Sequence, residues 1–342
     1  MRYTITALLA SLLVLTACGR ATAPADGDTA APGAIRVAYV TNGIDPFWSI
    51  AEAGALAAAR DLGVQCEVLM PPRGLVDQTR MIEALLANNI DGIAISPIDA
   101  ANQVDMINQA AARAKVITQD SDAPDSDRLC FIGMDNYLAG REAGKLVKEA
   151  MPDGGSVMIF VGRLEQLNAQ QRRQGVIDEL LDRPVGDTNA LVFDSTDFTH
   201  LDGKYTIVGT RTDNFDYGRA KANAEDAMAS HPTLGCMVGL FAYNIPNCLE
   251  AVKAAGKTGQ IQLVSFDESD PTLEGIRDGH VHGTISQQPY EYGYQSVAVL
   301  KALIEGDDSV IPAEGFIDVP SIVVTRDNVD DFQARLNELR GN

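Results

Sequence analysis

Positive charge is scarce in this chain. Its 27 Lys and Arg stand against 47 Asp and Glu, a formal net charge of −20 at neutral pH. So anionic a surface repels phosphate backbones and anionic headgroups, which excludes nucleic acid and a charged membrane surface as partners. Long apolar runs are also lacking. The only one, residues 5–15, is too short to span a bilayer permanently. Five cysteines occur, but Cys66, Cys130, Cys236 and Cys248 show no metal-ligand spacing. There is no Gly-x-Ser-x-Gly elbow, no Gly-rich phosphate loop and no His-Glu-x-x-His. The four histidines (His200, His231, His280, His282) fall in loops or at element ends. The pattern is poor for catalysis, and neither metal nor cofactor is expected.

What is present begins at the first residues. Met1-Arg2, the apolar run to Leu15 and the ending Leu15-Thr-Ala-Cys18 make a secretory signal. The ending resembles a bacterial lipobox, in which Cys18 becomes the lipidated first residue of the mature protein. The alternative is an ordinary secretory signal that contains a cysteine. Residues 19–34 are rich in Ala, Pro, Gly, Asp and Thr without periodicity, a solvated tether. The remaining body of about 300 residues suggests two domains. Cys66 and Cys130 are expected in strands at opposite edges of one sheet, and Cys236 and Cys248 at the start of a strand and in the helix beyond its far end. Four free, mostly buried thiols follow from that placement.

The body opens on a short β-branched run, 35–40, and then breaks at Thr-Asn-Gly-Ile-Asp-Pro46. Asp45 is a natural N-cap, Pro46 a first helical residue, and Gly63 a helix stop after an Ala- and Leu-rich stretch. Strands are predicted at 64–70, 92–96, 115–119 and 129–133, with helices at 75–88 and 100–113. The alternation then restarts: helix 137–150, strand 157–161, helix 168–181, and strands at 236–241, 261–266 and 283–286, each followed by a helical stretch. Strands alternating with helices call for α/β architecture, a doubly wound parallel sheet covered on both faces, and two such runs for two similar lobes. Between 183 and 214 the pattern is less clean, with 190–193 and 205–210 extended around a polar loop at 194–204. The acidic loop Asp120, Asp122, Asp125, Asp127 lacks calcium-loop spacing and reads as solvated, leaving Asp120 alone for function.

Ligands of open α/β sheets bind beyond the carboxyl ends of the strands. Standing there are Asp45, Phe47 and Trp48, then Ser96, Gln119 and Asp120, then Asn244, Asp267 and Gln287. Short carboxylates and amides suit a neutral polyhydroxylated ligand, since each accepts from or bridges two hydroxyls. Phe47, Trp48 and Phe215 offer flat apolar faces for the C–H side of a sugar ring. The competing reading of Phe47 and Trp48 is that they only pack the first helix down.

These blocks together resemble the periplasmic sugar-binding proteins of the ribose-binding type, ligand receptors of ABC importers. The resemblance runs through Asp45-Pro-Phe-Trp48, Val116-Ile-Thr-Gln-Asp120, Ile132-Gly-Met-Asp-Asn136, Arg172-Arg-Gln-Gly175, Val264-Ser-Phe-Asp267 and Thr284-Ile-Ser-Gln287. It spans nearly all of 35–326 except an excursion around 187–208. It implies two lobes joined by three crossovers, near Asn136, Gln288 and Asp318. One lobe would comprise 35–136 plus 288–317 and the other 137–287 plus 318–340, after a signal at 1–18 and a tether at 19–34. It further implies sugar contacts from Asp45, Phe47, Trp48, Asp120, Asn244, Asp267 and Gln287, with Phe215 as a stacking ring and Arg172 in its block. Two departures stand out. Ser121 follows Asp120 where the family often has arginine, and Gln170 occupies another arginine position. Both remove guanidinium donors, so a sugar bound differently from ribose is expected. Partners would be an ABC permease complex and a membrane reached only through the lipid, with the receptor itself a monomer in the periplasm or outside the cell. A receptor for chemotaxis or signalling is the alternative. A sugar hydrolase using Asp120 and Asp267 is a third reading, and a repressor would need a DNA-binding helix pair where this chain has a signal.

Overall fold

The computed structural model describes residues 33–185 and 190–340. Cys18, the signal and most of the tether lie outside the described residues. The chain begins β1 (Arg36–Val40), α1 (Pro46–Leu62), β2 (Gln65–Leu69), α2 (Leu75–Ala87), β3 (Gly92–Ile95), α3 (Val104–Ala111), β4 (Lys115–Gln119) and β5 (Phe131–Gly133). It continues α4 (Asn136–Ala150), β6 (Gly155–Val161), α5 (Leu167–Leu180), β7 (Tyr205–Thr212), α6 (Tyr217–Ser230), β8 (Leu234–Gly239), α7 (Asn244–Ala254), β9 (Gln262–Phe266), α8 (Asp270–Arg277) and β10 (Gly283–Ser286). Last come α9 (Pro289–Ile304), β11 (Phe316–Asp318), β12 (Ile322–Thr325) and α10 (Val329–Arg340).

Two six-stranded sheets result, ordered β11-β5-β4-β3-β1-β2 and β12-β10-β9-β8-β6-β7. The orders match strand for strand, so the lobes repeat one design. The described pairings are parallel except β10 with β12, where the edge strand runs back. The chain passes between the sheets after β5, after β10 and after β11. Central strands such as β3, Gly-Ile-Ala-Ile, are buried along their whole length, as a sheet covered on both faces requires.

The helices begin and end where local chemistry directs. Asp45 accepts the Phe47 N–H and caps α1, Pro46 opens it, and Gly63 closes it at φ 67° with its N–H on Ala59 O. Residues 100–103, expected as helix, instead form turns. The reason is Gln103, whose buried Oε1 accepts the N–H groups of Ile98 and Asp99 and holds the chain out of the helix. Residues 190–193, expected as extended, form no strand, whereas 205–210 lie within β7. The loop between them is tied to α5: Arg173 donates to the carbonyls of Asp194 and Ser195, and Gln174 and Arg183 both reach the Asp194 carboxylate. Cys66 sits in edge strand β2 as expected, but Cys130 stands immediately before β5 rather than in it, and β5 is not an edge because β11 pairs along its outer side. All four body thiols are free, three of them buried and Cys66 half-buried.

Candidate functional site

The two sheets present their carboxyl ends to one cleft. Asp120 and Asp267 immediately follow the corresponding strands β4 and β9, and the two acids are built alike. Each is buried, each takes a left-handed backbone (φ 60° and 65°), and each donates its N–H to a carbonyl of the next strand, Ile132 and Ile285. Asn214 and Phe215, after β7, are also left-handed, at φ 57° and 63°. Such conformations are costly for residues with a Cβ, and a bulky ring there marks a position held by its surroundings. Of the six such non-glycine residues among those described, Asn89 and Asp182 lie elsewhere, and the other four stand at or beside the cleft.

The hydrogen bonds show how the polar groups are held. Asp120 Oδ2 accepts from Ser96 Oγ at 2.9 Å, Asn42 Nδ2 at 3.3 Å and Asn168 Nδ2 at 3.4 Å. Asp120 Oδ1 faces the Arg172 guanidinium, 3.8 Å from Nη2. Arg172 is fully buried on α5, its Nε donating to Asn136 Oδ1 and its Nη1 to Leu240 O. Its Nη2 has no hydrogen-bond partner among the described residues, and neither do the buried Ser121 Oγ and Asn168 Oδ1. Asp267 Oδ1 accepts from Gln287 Nε2 at 2.7 Å. Burial raises both carboxyls above the ordinary carboxylate range, against the pull of Arg172. Behind Asp267, burial and the neighbouring Asp267 charge raise Glu268 as well.

Aromatic rings wall the cleft on both sides. From α1, Phe47 and Trp48 meet edge to face, 4.9 Å apart at 86°. From the other lobe come Phe215, Phe241 and Tyr243, with Phe215 and Phe241 5.5 Å apart. Trp48 is only 4% exposed and packs among Val37, Tyr39 and Ala55 while also facing the cleft. Packing and lining are therefore not alternatives for this residue.

Of the residues singled out from sequence, Asp45, Phe47, Trp48, Asp120, Arg172, Phe215, Asp267 and Gln287 line the cleft together. Three do not. Ser96 stands behind Asp120. Asn244 is buried behind Phe241, its Oδ1 accepting the Phe241 N–H and its Nδ2 donating to Asp213. Gln170 turns away to donate to Leu164 O at 2.6 Å, so it does not replace the missing guanidinium. Sequence reasoning missed Asn42, Phe241, Ala242 and Tyr243, which line the cleft, and Asp213, which braces Tyr243. Asn42 was within reach of it, two residues past β1 in the same polar loop as Asp45. Among the described residues no group of His, Cys, Asp or Glu is arranged to hold a metal, and no helix is long and apolar enough to cross a membrane.

The chain belongs to the periplasmic binding protein domain family, whose model matches residues 35–308. It is 23% identical over 331 residues to the D-ribose/D-allose-binding protein of Pseudomonas aeruginosa, covering 93% of this chain and 97% of that one. It is 25% identical over 268 residues to the ribose import binding protein RbsB of Salmonella typhimurium, covering 77% and 82%. Among solved structures, it resembles an ABC transporter solute-binding protein from Burkholderia graminis in complex with D-arabinose. That likeness has TM-score 0.76 and 27% identity, and covers 86% of this chain and 96% of the other.

Proposed function

We propose that this protein captures a monosaccharide between its lobes and delivers it to an ABC importer. One observation carries the reading: two acids at equivalent strand ends, Asp120 and Asp267, lie in one aromatic-walled cleft with Arg172. A ligand hydroxyl seated at Asp120 Oδ1 and Arg172 Nη2 would donate to the first and accept from the second, pairing a buried donor that otherwise costs ~1–3 kcal/mol. The ribose-, allose- and arabinose-binding relatives support the ligand class. The lobes, bounded at the residues given above, would close by rotation at the three crossovers. No charge balance is left for a sugar acid, since its carboxylate would meet Asp120 and Asp267.

The test is a panel of pentoses, hexoses, polyols and sugar acids scored by melting temperature. A ligand at a hundred times its Kd stabilises by ~2.7 kcal/mol, enough to detect. A panel in which no sugar raises the melting temperature would overturn the reading. Cys18 belongs to the same proposal as the lipid anchor. Cys18→Ser is expected to abolish acylation and leave the precursor uncleaved, read by mass spectrometry of the membrane fraction.

A further inference from the structure

Asp45 reads from sequence as a sugar ligand, yet both of its oxygens already have protein partners. Oδ1 accepts the Phe47 N–H at 3.0 Å, and Oδ2 accepts the Tyr217 hydroxyl at 2.8 Å. Asp45 caps α1 on the first sheet and Tyr217 opens α6 on the second, so this hydrogen bond spans the cleft between the lobes. Both ends are braced. The Tyr217 ring lies against Tyr243, 4.8 Å away at 14°, and Tyr243 donates its hydroxyl to Asp213. Asp216, the preceding residue, caps α6 by accepting the Arg219 N–H. Tyr217 is 47% exposed and stands at the rim, whereas Asp120 and Arg172 lie buried within.

We propose that Asp45 and Tyr217 form a latch between the lobes, with Tyr217 a positioning residue that holds Phe47 and Trp48 against the bound sugar. The proposal rests on the sugar-receptor reading of the same cleft. The hydrogen bond joins the two lobes to each other, so it forms only when they are closed and favours the closed form whether the cleft is full or empty. Release requires opening, so losing the latch acts on the off-rate rather than on encounter. A charged but half-exposed hydrogen bond is worth about three- to tenfold in rate.

The sole tryptophan faces the cleft, so stopped-flow emission with a sugar that binds reads both rates. Tyr217→Phe keeps the ring on Tyr243 and removes only the hydroxyl. Its off-rate is expected to rise roughly three- to tenfold, with the on-rate within about twofold of wild type. Asp45→Ser keeps a helix cap but is too short to reach Tyr217. It should raise the off-rate equally, and the double variant no further, because either change alone breaks the latch. An unchanged off-rate in Tyr217→Phe, or additive effects that place Asp45 on the sugar itself, overturns the latch. Spin-label distances between the lobes test it without ligand. Tyr217→Phe should deplete the short-distance population of the empty protein, and identical distributions overturn the proposal. A panel in which no sugar binds rejects the sugar reading, while these distances still decide the latch.

Discussion

At the scale of single residues, the cleft depends on groups whose neighbours have left part of them free. Asp120 Oδ2 accepts three hydrogen bonds, while Oδ1 faces only Arg172 at 3.8 Å. A hydrogen bond to a charged group contributes ~1.5–3 kcal/mol, and ~1.4 kcal/mol is tenfold in affinity. Asp120→Ala and Asp267→Ala are therefore each expected to weaken sugar binding about ten- to hundredfold, measured by calorimetry on folded protein. Trp48 behaves differently because it is both core and wall. Trp48→Ala should lose stability toward the lower end of the ~3–5 kcal/mol typical of buried aromatics, since one edge of the ring borders the cleft. Sugar affinity should fall with it, and Trp48→Phe should recover part of both. Denaturant unfolding and calorimetry on the two variants check this. Near-normal affinity in Trp48→Ala would confine the ring to packing.

At the scale of elements, close approach between helices is what aims these residues. A Cβ on Gly54 would come 2.0 Å from Tyr290 O, and one on Gly293 would come 1.9 Å from Ala51 O. So α1 and α9 touch backbone to backbone. The second lobe repeats the device, with Gly140 facing Arg172 O and Gly175 facing Tyr137 O across α4 and α5. The obstacle at each site is a carbonyl rather than a flexible side-chain tip. Gly293→Ala gains up to ~1 kcal/mol of helix propensity but incurs an overpacking penalty of ~1–3 kcal/mol. Net destabilisation is expected, read as a lower urea midpoint with an unchanged slope. The alternation of strand and helix was legible because apolar runs and cap residues act locally. Residues 100–103 were not, because Gln103 folds back onto Ile98 and Asp99, and helical composition does not record such a bond.

At the scale of the whole molecule, buried acids link stability to pH. Burial pushes Asp213 up to about 6, against hydrogen bonds from Tyr243, the Phe215 N–H and Asn244, and it raises Asp120 and Asp267 too. A raised carboxyl holds its proton in the folded protein where the unfolded chain, at ~3.9, has lost it. Its stabilising contribution is complete below that value and fades as pH climbs through the folded one, for Asp213 at about 6. The empty protein is accordingly expected to melt higher near pH 5 than at about pH 7.5, by calorimetry, with the difference reduced in Asp267→Asn. Sugar binding should run the opposite way. Hydroxyl donors favour ionised acceptors, so affinity should weaken as pH falls.

By itself the sequence determined the α/β alternation, the two similar runs and the acids and rings at the strand ends, because strand periodicity, capping and the rule that ligands meet carboxyl ends are local or topological. Tertiary structure alone decided which of those residues face the cleft. Ser96 and Asn244 stand at strand ends yet lie behind Asp120 and Phe241, and Gln170 turns to a carbonyl on its own lobe. Arg172 reaches the floor from α5 through bonds to Asn136 and Leu240, residues 36 and 68 positions away. Asp45 meets Tyr217 across 172 residues of chain. The last of these depends on how the two sheets approach each other and the others on how helices pack onto their own sheet, and no local pattern in the sequence encodes either distance.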